Sequence, residues 1–163
     1  METNVDYFQG VVTEYLRADR SVFVNTECRM ELDDDNSRTK GRHWYCDVVA
    51  CNFREKTVFL CEITYSKTMQ ALVKRLRAWE SHWPQLRNAI VRDCSVPADW
   101  RIQPWVFVPK EHHEELKRRV PATMISGGGT ESMPAPRVTY LESVCPWNYD
   151  SADRKADDLA TDE

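Results

Sequence analysis

Two neighbouring segments of the chain read as buried β-strands, and each carries one carboxylate among its apolar residues. They cover about residues 42–53, with Asp47, and residues 57–66, with Glu62. Only the charged link at 54–56 joins them, so we predict an antiparallel hairpin. Burying a lone carboxylate is costly, and two of them on adjacent strands therefore indicate a functional site.

The two carboxylates converge if the hairpin register brings Asp47 close to Glu62, because side chains of a strand alternate between its two faces. A first helix is predicted over residues 4–18 from its apolar spacing, and it can bring Glu14 to the same place. Carboxylate clusters of this kind hold Mg²⁺ or Mn²⁺. The alternative is that Asp47 and Glu62 form buried ion pairs with Arg or Lys, and the pattern alone leaves both open.

The remaining elements are placed by periodicity and by turn residues. A strand before the hairpin completes a three-stranded meander, and Ser66 can cap a helix that begins at Lys67. Pro104, inside a later strand, favours a sheet edge or a strand start. The predicted elements after the first helix are strands at 21–32, 42–53, 57–66 and 100–109, helices at 67–81, 84–92 and 111–120, and a last short strand at 137–144.

Composition bounds the class of protein. The 163 residues suit one ordinary domain. No apolar run approaches the roughly 20 residues that span a bilayer, and the N-terminus is not a secretory signal, so we expect a cytoplasmic protein with no membrane partner. The six cysteines include no Cys-x-x-Cys pair and are expected to be reduced, mostly buried side chains.

Charge divides the chain into regions. The net charge is -4, but residues 1–120 are almost neutral, and residues 121–163 hold 3 Lys/Arg against 8 Asp/Glu. We therefore predict a core at 1–120, a Gly/Pro-rich loop with the last strand at 121–150, and an acidic disordered tail at 151–163.

The order of these elements, with Asp47 in Cys-Asp-Val-Val, Glu62 in Leu-Cys-Glu-Ile-Thr and Glu14 in the first helix, resembles the PD-(D/E)xK nuclease-like superfamily over roughly residues 5–120. The resemblance implies the restriction-endonuclease-like fold, an α/β (α+β) arrangement with a central mixed sheet of about four to five strands flanked by helices. It also implies Mg²⁺- or Mn²⁺-dependent phosphodiester hydrolysis. In this family pattern Asp47, Glu62 and the Ile63 carbonyl would bind the metal, and Glu14 would be an outer ligand.

Two positions depart from the family pattern. Cys46 stands where the motif proline precedes the aspartate, and Thr64 stands where the motif has lysine. A threonine hydroxyl can orient a water molecule but supplies no positive charge. Lys67 or Lys74 could replace the lysine, and the expected catalytic set is therefore Asp47, Glu62, Thr64 and Lys67.

A basic stripe on the second predicted helix lies beside this site. Its side chains could contact the phosphates of a nucleic acid, or they could form a solvated helix face. The stripe consists of Lys67, Lys74, Arg75 and Arg77.

The sequence thus indicates a metal-dependent nuclease, with DNA preferred over RNA as partner and a homodimer left open. The alternative is a catalytically inactive module of the same fold that binds nucleic acid or protein. A third interpretation is an interaction protein whose acidic tail mimics nucleic acid.

Overall fold

A computed structural model describes residues 4–32, 43–120 and 132–149 of the chain. In this part of the chain, one five-stranded sheet has the spatial order β1-β2-β3-β4-β5. The strands are β1 (Val22–Glu31), β2 (His43–Asn52), β3 (Thr57–Ile63), β4 (Arg101–Val108) and β5 (Arg137–Tyr140). The helices are α1 (Asn4–Arg17), α2 (Gln70–Ser81), α3 (Trp83–Cys94) and α4 (His113–Arg119), with short 3₁₀ turns at Lys110–His112, Leu141–Val144 and Pro146–Asn148.

The sheet is mixed, which confirms the predicted fold class. β1, β2 and β3 form an antiparallel meander. β4 pairs parallel to β3, and β5 pairs parallel to β4. The connection from β3 to β4 carries α2 and α3, because parallel neighbours require a long crossover.

Helices cover both faces of the sheet. On one face, Val12, Tyr15 and Leu16 of α1 pack against β-strand residues such as Phe59 and Trp105. The other face is covered by apolar side chains of α2, α3 and α4, among them Leu72, Leu76, Trp79, Trp83, Leu86, Ile90 and Leu116. β3 is buried along its whole length because it is the central strand of the sheet and helices cover both faces of the sheet.

The central hairpin matches its prediction closely. β2 and β3 are antiparallel, with pairs running from Asn52 opposite Thr57 to Val48 opposite Cys61. The link at 53–56 forms the turn, so the strand ends that carry Asp47 and Glu62 lie at the far end of the hairpin.

The start of α2 differs from the prediction. β3 ends at Ile63, and α2 begins only at Gln70, after Met69 has adopted a left-handed conformation with φ 51°. Ser66 does not cap the helix, because its hydroxyl hydrogen-bonds to Thr68 at 3.2 Å. Lys67 consequently lies in a loop and not on the helix.

Pro104 also differs from the prediction, since it is the fourth residue of β4, a strand with neighbours on both sides. Pairing with β5 begins only at Trp105, so the missing N–H of Pro104 leaves no bond to β5 unmade. The last predicted strand is real but ends at Tyr140, and a 3₁₀ turn follows it. Residues 121–131 of the predicted loop and the tail at 151–163 lie outside the described residues.

Candidate active site

The carboxylates of Asp47 and Glu62 meet at the open end of the β2–β3 hairpin. Continuing the register by one residue beyond the pair of Val48 and Cys61 sets Asp47 opposite Glu62. Arg75 Nη1 lies 2.6 Å from Glu62 Oε2 and 3.8 Å from Asp47 Oδ1, so the two carboxyl groups lie close together. The side chain of Glu62 is only 5% exposed and that of Asp47 is 24% exposed. The condition that the sequence left open, a register that brings Asp47 close to Glu62, is therefore met.

Backbone groups fix Asp47 in this position. Its Oδ2 accepts a hydrogen bond from the Ile63 N–H at 3.0 Å, at the point where the β2–β3 ladder ends. The Nε2 of Gln9, on α1, donates to the Asp47 backbone carbonyl at 3.4 Å. Asp47 is thus anchored from β3 and from α1, and its Oδ1 is left facing the site.

Arg75, on α2, supplies the positive charge nearest to both carboxylates. Its Nη1 donates to Glu62 Oε2 at 2.6 Å and lies 3.8 Å from Asp47 Oδ1. Burial alone would lower the pKa of the guanidinium, but the charges of Glu62 and Asp47 outweigh burial and raise it. Arg75 therefore stays charged and bridges the pair.

Arg75 compensates the charges of the two carboxylates only in part. The pKa of Glu62 is raised well above its usual value, first by burial and then by the neighbouring Asp47 charge, and Arg75 offsets only part of this. Within the described residues, no donor reaches the buried Oε1 of Glu62. Among the described residues, two carboxylates share one guanidinium, which makes a deprotonated Glu62 costly.

This donor set fits a divalent hard cation. Among the described residues, no N–H donates a hydrogen bond to Asp47 Oδ1 or to Glu62 Oε1, and the Ile63 carbonyl follows directly in the chain. No group of three or more His, Cys, Asp or Glu side chains that could hold a metal is found in the described ranges. Mg²⁺ does not require such a group, because it keeps several waters and commonly binds through one or two carboxylates.

The other predicted site residues lie around this centre without contacting it. The Thr64 hydroxyl accepts the N–H of Ser66 at 3.2 Å and so shapes the loop after β3. Lys67 is exposed in that loop, and Lys74 and Arg77 are exposed on α2.

Glu14 lies on α1, where its exposed side chain pairs with Arg17 at 3.6 Å. No hydrogen bond or ion pair in the described part of the chain joins Glu14 to Asp47 or Glu62. The α1 residue that does reach this end of the hairpin is Gln9.

Sequence reasoning assigned Arg75 only to a phosphate-binding stripe and missed its contact with the carboxylates. At about 100° per residue, Arg75 lies about 90° from the centre of the buried stripe of α2, Arg77 about 110° and Lys74 about 170°. Arg75 and Arg77 therefore both lie at the border of the stripe, and the spacing did not single out Arg75. For Gln9 we find no signal in the sequence either.

In comparisons with known proteins, no family model matches the chain, and no curated protein matches its sequence. In the part of the chain that the structure describes, no helix is both long enough and apolar enough to cross a membrane.

Proposed function

We propose that the protein is a metal-dependent nuclease of the PD-(D/E)xK type. The single observation that carries the proposal is the close pair of Asp47, half-buried, and Glu62, buried, at the open end of the β2–β3 hairpin, where Arg75 is the one cation that pairs with them among the described residues. The order of elements, with a meander followed by a helical crossover to a parallel strand, supports it. Nucleic acid as partner, with DNA preferred over RNA, a cytoplasmic location and a homodimer left open belong to the same proposal.

In this proposal Mg²⁺ or Mn²⁺ is held by Asp47, Glu62 and the backbone carbonyl of Ile63. A divalent ion bound there lowers the pKa of a bound water and neutralises charge on a phosphate. The Ile63 N–H keeps Asp47 Oδ2 occupied, so Oδ1 remains the oxygen that faces the site. The buried wall around Glu62 keeps bulk water away from its carboxyl group and strengthens every charge interaction there.

Arg75 takes the cationic role that Thr64 cannot fill. Its guanidinium carries five N–H donors, and one described hydrogen bond, to Glu62, occupies part of this capacity. The remaining donors can bind a phosphate oxygen placed beside the two carboxylates. Lys74 and Arg77, exposed on the same helix, can contact phosphates further along the strand.

The experiment is a cleavage assay on labelled DNA and RNA with Mg²⁺ or Mn²⁺. We expect metal-dependent cleavage by the wild type and at least a roughly 100-fold loss in Asp47→Asn and in Glu62→Gln, because electrostatic stabilisation is commonly the largest catalytic term. Asp99→Asn is the matched control, since it removes an exposed carboxylate just before β4 and should keep full activity. Equal activity in Asp47→Asn and the wild type would overturn the proposal.

A catalytically inactive binding module is the second candidate. It is favoured by Arg75, which already partly neutralises both carboxylates, and by Thr64 at the lysine position. Titration calorimetry with Mn²⁺ separates the two. Binding that is lost in Asp47→Asn supports the nuclease, whereas a wild type that binds no Mn²⁺ and cleaves nothing supports the module.

A further inference from the structure

Three aromatic side chains form a partly exposed cluster next to the carboxylate pair. The rings of Phe8 and Tyr65 stack with centroids 4.9 Å apart and planes 12° apart. Tyr7 meets Phe8 edge-on at 5.3 Å. Tyr7 is 66% exposed and Tyr65 is 45% exposed. We name Tyr7, Phe8 and Tyr65 the aromatic stack.

Chain geometry keeps the aromatic stack close to the site. Tyr65 follows Glu62 by three residues, and Phe8 directly precedes Gln9, which contacts the Asp47 carbonyl. At about 3.3 Å per residue, Tyr65 lies within roughly 10 Å of Glu62 along the backbone. The stack and the carboxylate pair thus lie at the same end of β3, with the stack beside α1 and Glu62 on the face that α2 covers.

The stack is built on fixed elements. Phe8 packs against the apolar cluster beneath α1. The loop that carries Tyr65 is held at Thr64, whose N–H donates to the Phe107 carbonyl at 3.1 Å, and at Thr68, whose carbonyl accepts Arg119 Nη1 at 2.6 Å. The rings are thus held in place before any ligand arrives, which lowers the entropic cost of binding.

Core packing does not account for this arrangement. Two other exposed aromatics, Phe23 and Phe53, pack against each other at 5.6 Å, and Phe53 also contacts Trp100 at 5.0 Å, at the turn end of the hairpin. In the aromatic stack, Phe8 alone reaches the core, and the two tyrosines present ring surface to solvent. Tyrosine suits such a position because it joins an apolar face to a polar hydroxyl.

Positive charge lies in the loop that carries Tyr65. Lys67 is exposed two residues after Tyr65, whereas α2, with Arg75, Lys74 and Arg77, packs on the face of the sheet opposite to α1. Among the described residues, Lys67 forms no ion pair. Aromatic faces combined with cations are the usual surface for single-stranded nucleic acid, whose bases are free to stack on a side chain.

We propose that the aromatic stack binds the bases of a single-stranded nucleic acid, so that the substrate of this site is a single strand or a single-stranded end. This inference rests on the proposed nuclease function for its biological meaning but can be tested without cleavage. In a duplex the bases are stacked on one another and cannot lie on Tyr65, so the duplex is the disfavoured form.

The test is fluorescence anisotropy of the full chain with labelled oligodeoxythymidine and with a duplex of the same length, in EDTA so that no cleavage occurs. We expect tighter binding to the single strand. Since stacking contributes about 1–3 kcal/mol per base, Tyr65→Ala should weaken that binding by roughly 5- to 150-fold, and Tyr65→Phe should keep most of it. Tyr7→Ala should weaken it by a smaller factor.

Phe53→Ala is the matched control, because it also removes an exposed aromatic but at the opposite end of the hairpin. Equal losses in Tyr65→Ala and Phe53→Ala, or binding to duplex as tight as to single strand, would overturn the inference even if metal-dependent cleavage is found. Single-strand binding that depends on Tyr65, with no cleavage under any metal, would uphold the inference and reject the nuclease. No binding to either probe would reject the inference as well.

Discussion

Asp19 and Glu62 are buried carboxylates that each form an ion pair with an arginine, yet their surroundings differ. Asp19, in the turn between α1 and β1, is 0% exposed. Its Oδ1 accepts the Ser21 N–H at 2.9 Å, and its Oδ2 accepts Arg54 Nη1 at 2.5 Å. Both oxygens of Asp19 therefore have donors, and the group ties the α1–β1 turn to the β2–β3 turn.

In Glu62, by contrast, only one of the two carboxylate oxygens has a donor among the described residues. Arg75 donates to Oε2, but no described donor reaches Oε1, and the charge of the neighbouring Asp47 raises the pKa of Glu62 further. The comparison shows that burial beside an arginine does not by itself mark a site. A buried carboxylate with an unpaired oxygen and a like-charged neighbour does, because such an arrangement costs folding stability that a purely structural pair would not.

The largest expected effect is the loss of the structural pair. Asp19→Ala removes an ion pair and leaves the half-buried Ser21 N–H without its acceptor, so we expect the free energy of unfolding to fall by about 2–4 kcal/mol in urea titrations. Asp93→Ala is the control, because it breaks an exposed pair with Arg92 and should change stability by no more than about 0.5 kcal/mol. An equal loss of stability in Asp19→Ala and Asp93→Ala would contradict a structural role of the buried Asp19 pair.

The opposite sign is expected at Glu62. In metal-free buffer at neutral pH, Glu62→Gln should raise the free energy of unfolding by about 1–2 kcal/mol, because ionisation of Glu62 favours the unfolded chain and a glutamine cannot ionise. The glutamine keeps an oxygen for Arg75 and can donate its amide to Asp47. Asp99→Asn, which removes an exposed charge, should leave stability almost unchanged.

The raised pKa of Glu62 makes the folding stability depend on pH. Its pKa is raised in the folded chain above the ordinary 4.5, so the folded state holds a proton that the unfolded state releases. The stability from Glu62 is full below the ordinary value and is lost as pH rises through the raised one. The advantage of Glu62→Gln should therefore shrink towards about pH 4 in thermal unfolding, and an advantage that is constant with pH would contradict a raised pKa.

The smallest expected effect is the change in Mn²⁺ affinity when Arg75 is replaced. Arg75→Met removes a cation that competes with a divalent ion, so Mn²⁺ affinity should rise by roughly 3- to 10-fold in calorimetry while cleavage falls. Arg54→Met should leave Mn²⁺ affinity unchanged, because Arg54 pairs with Asp19 at another place in the fold. Weaker Mn²⁺ binding in Arg75→Met would show that Arg75 holds the carboxylates in place more than it competes for them.

The central pair of strands was predictable in detail. Alternation of side chains and a short charged link predict the hairpin, whereas its register stayed a condition until the structure set Asp47 opposite Glu62. The side of α2 that faces the sheet was also readable from its apolar spacing, although the role of Arg75 was not drawn from it. These features depend on residues close in sequence or on one strand pair.

Other features depended on contacts between distant residues. Pro104 was expected at an edge or strand start, but β4 lies between β3 and β5, and only the late start of β5 pairing makes room for it. α2 begins at Gln70 and not at Lys67 as predicted, because Met69 takes a left-handed conformation and is fully buried. No local capping signal indicates this conformation. Lys67 consequently lies in a loop beside the aromatic stack.

The sequence by itself determined the two carboxylate-bearing strands and their antiparallel pairing, because a period of two and a short link leave few alternatives. The tertiary structure alone decided which groups complete the site. Arg75 reaches Glu62 across the face of the sheet, and Gln9 and Phe8 approach the same end of the hairpin from α1, 38 residues before Asp47 in the case of Gln9. Such contacts are set by how whole helices pack on the sheet, and a local pattern carries no information about that packing.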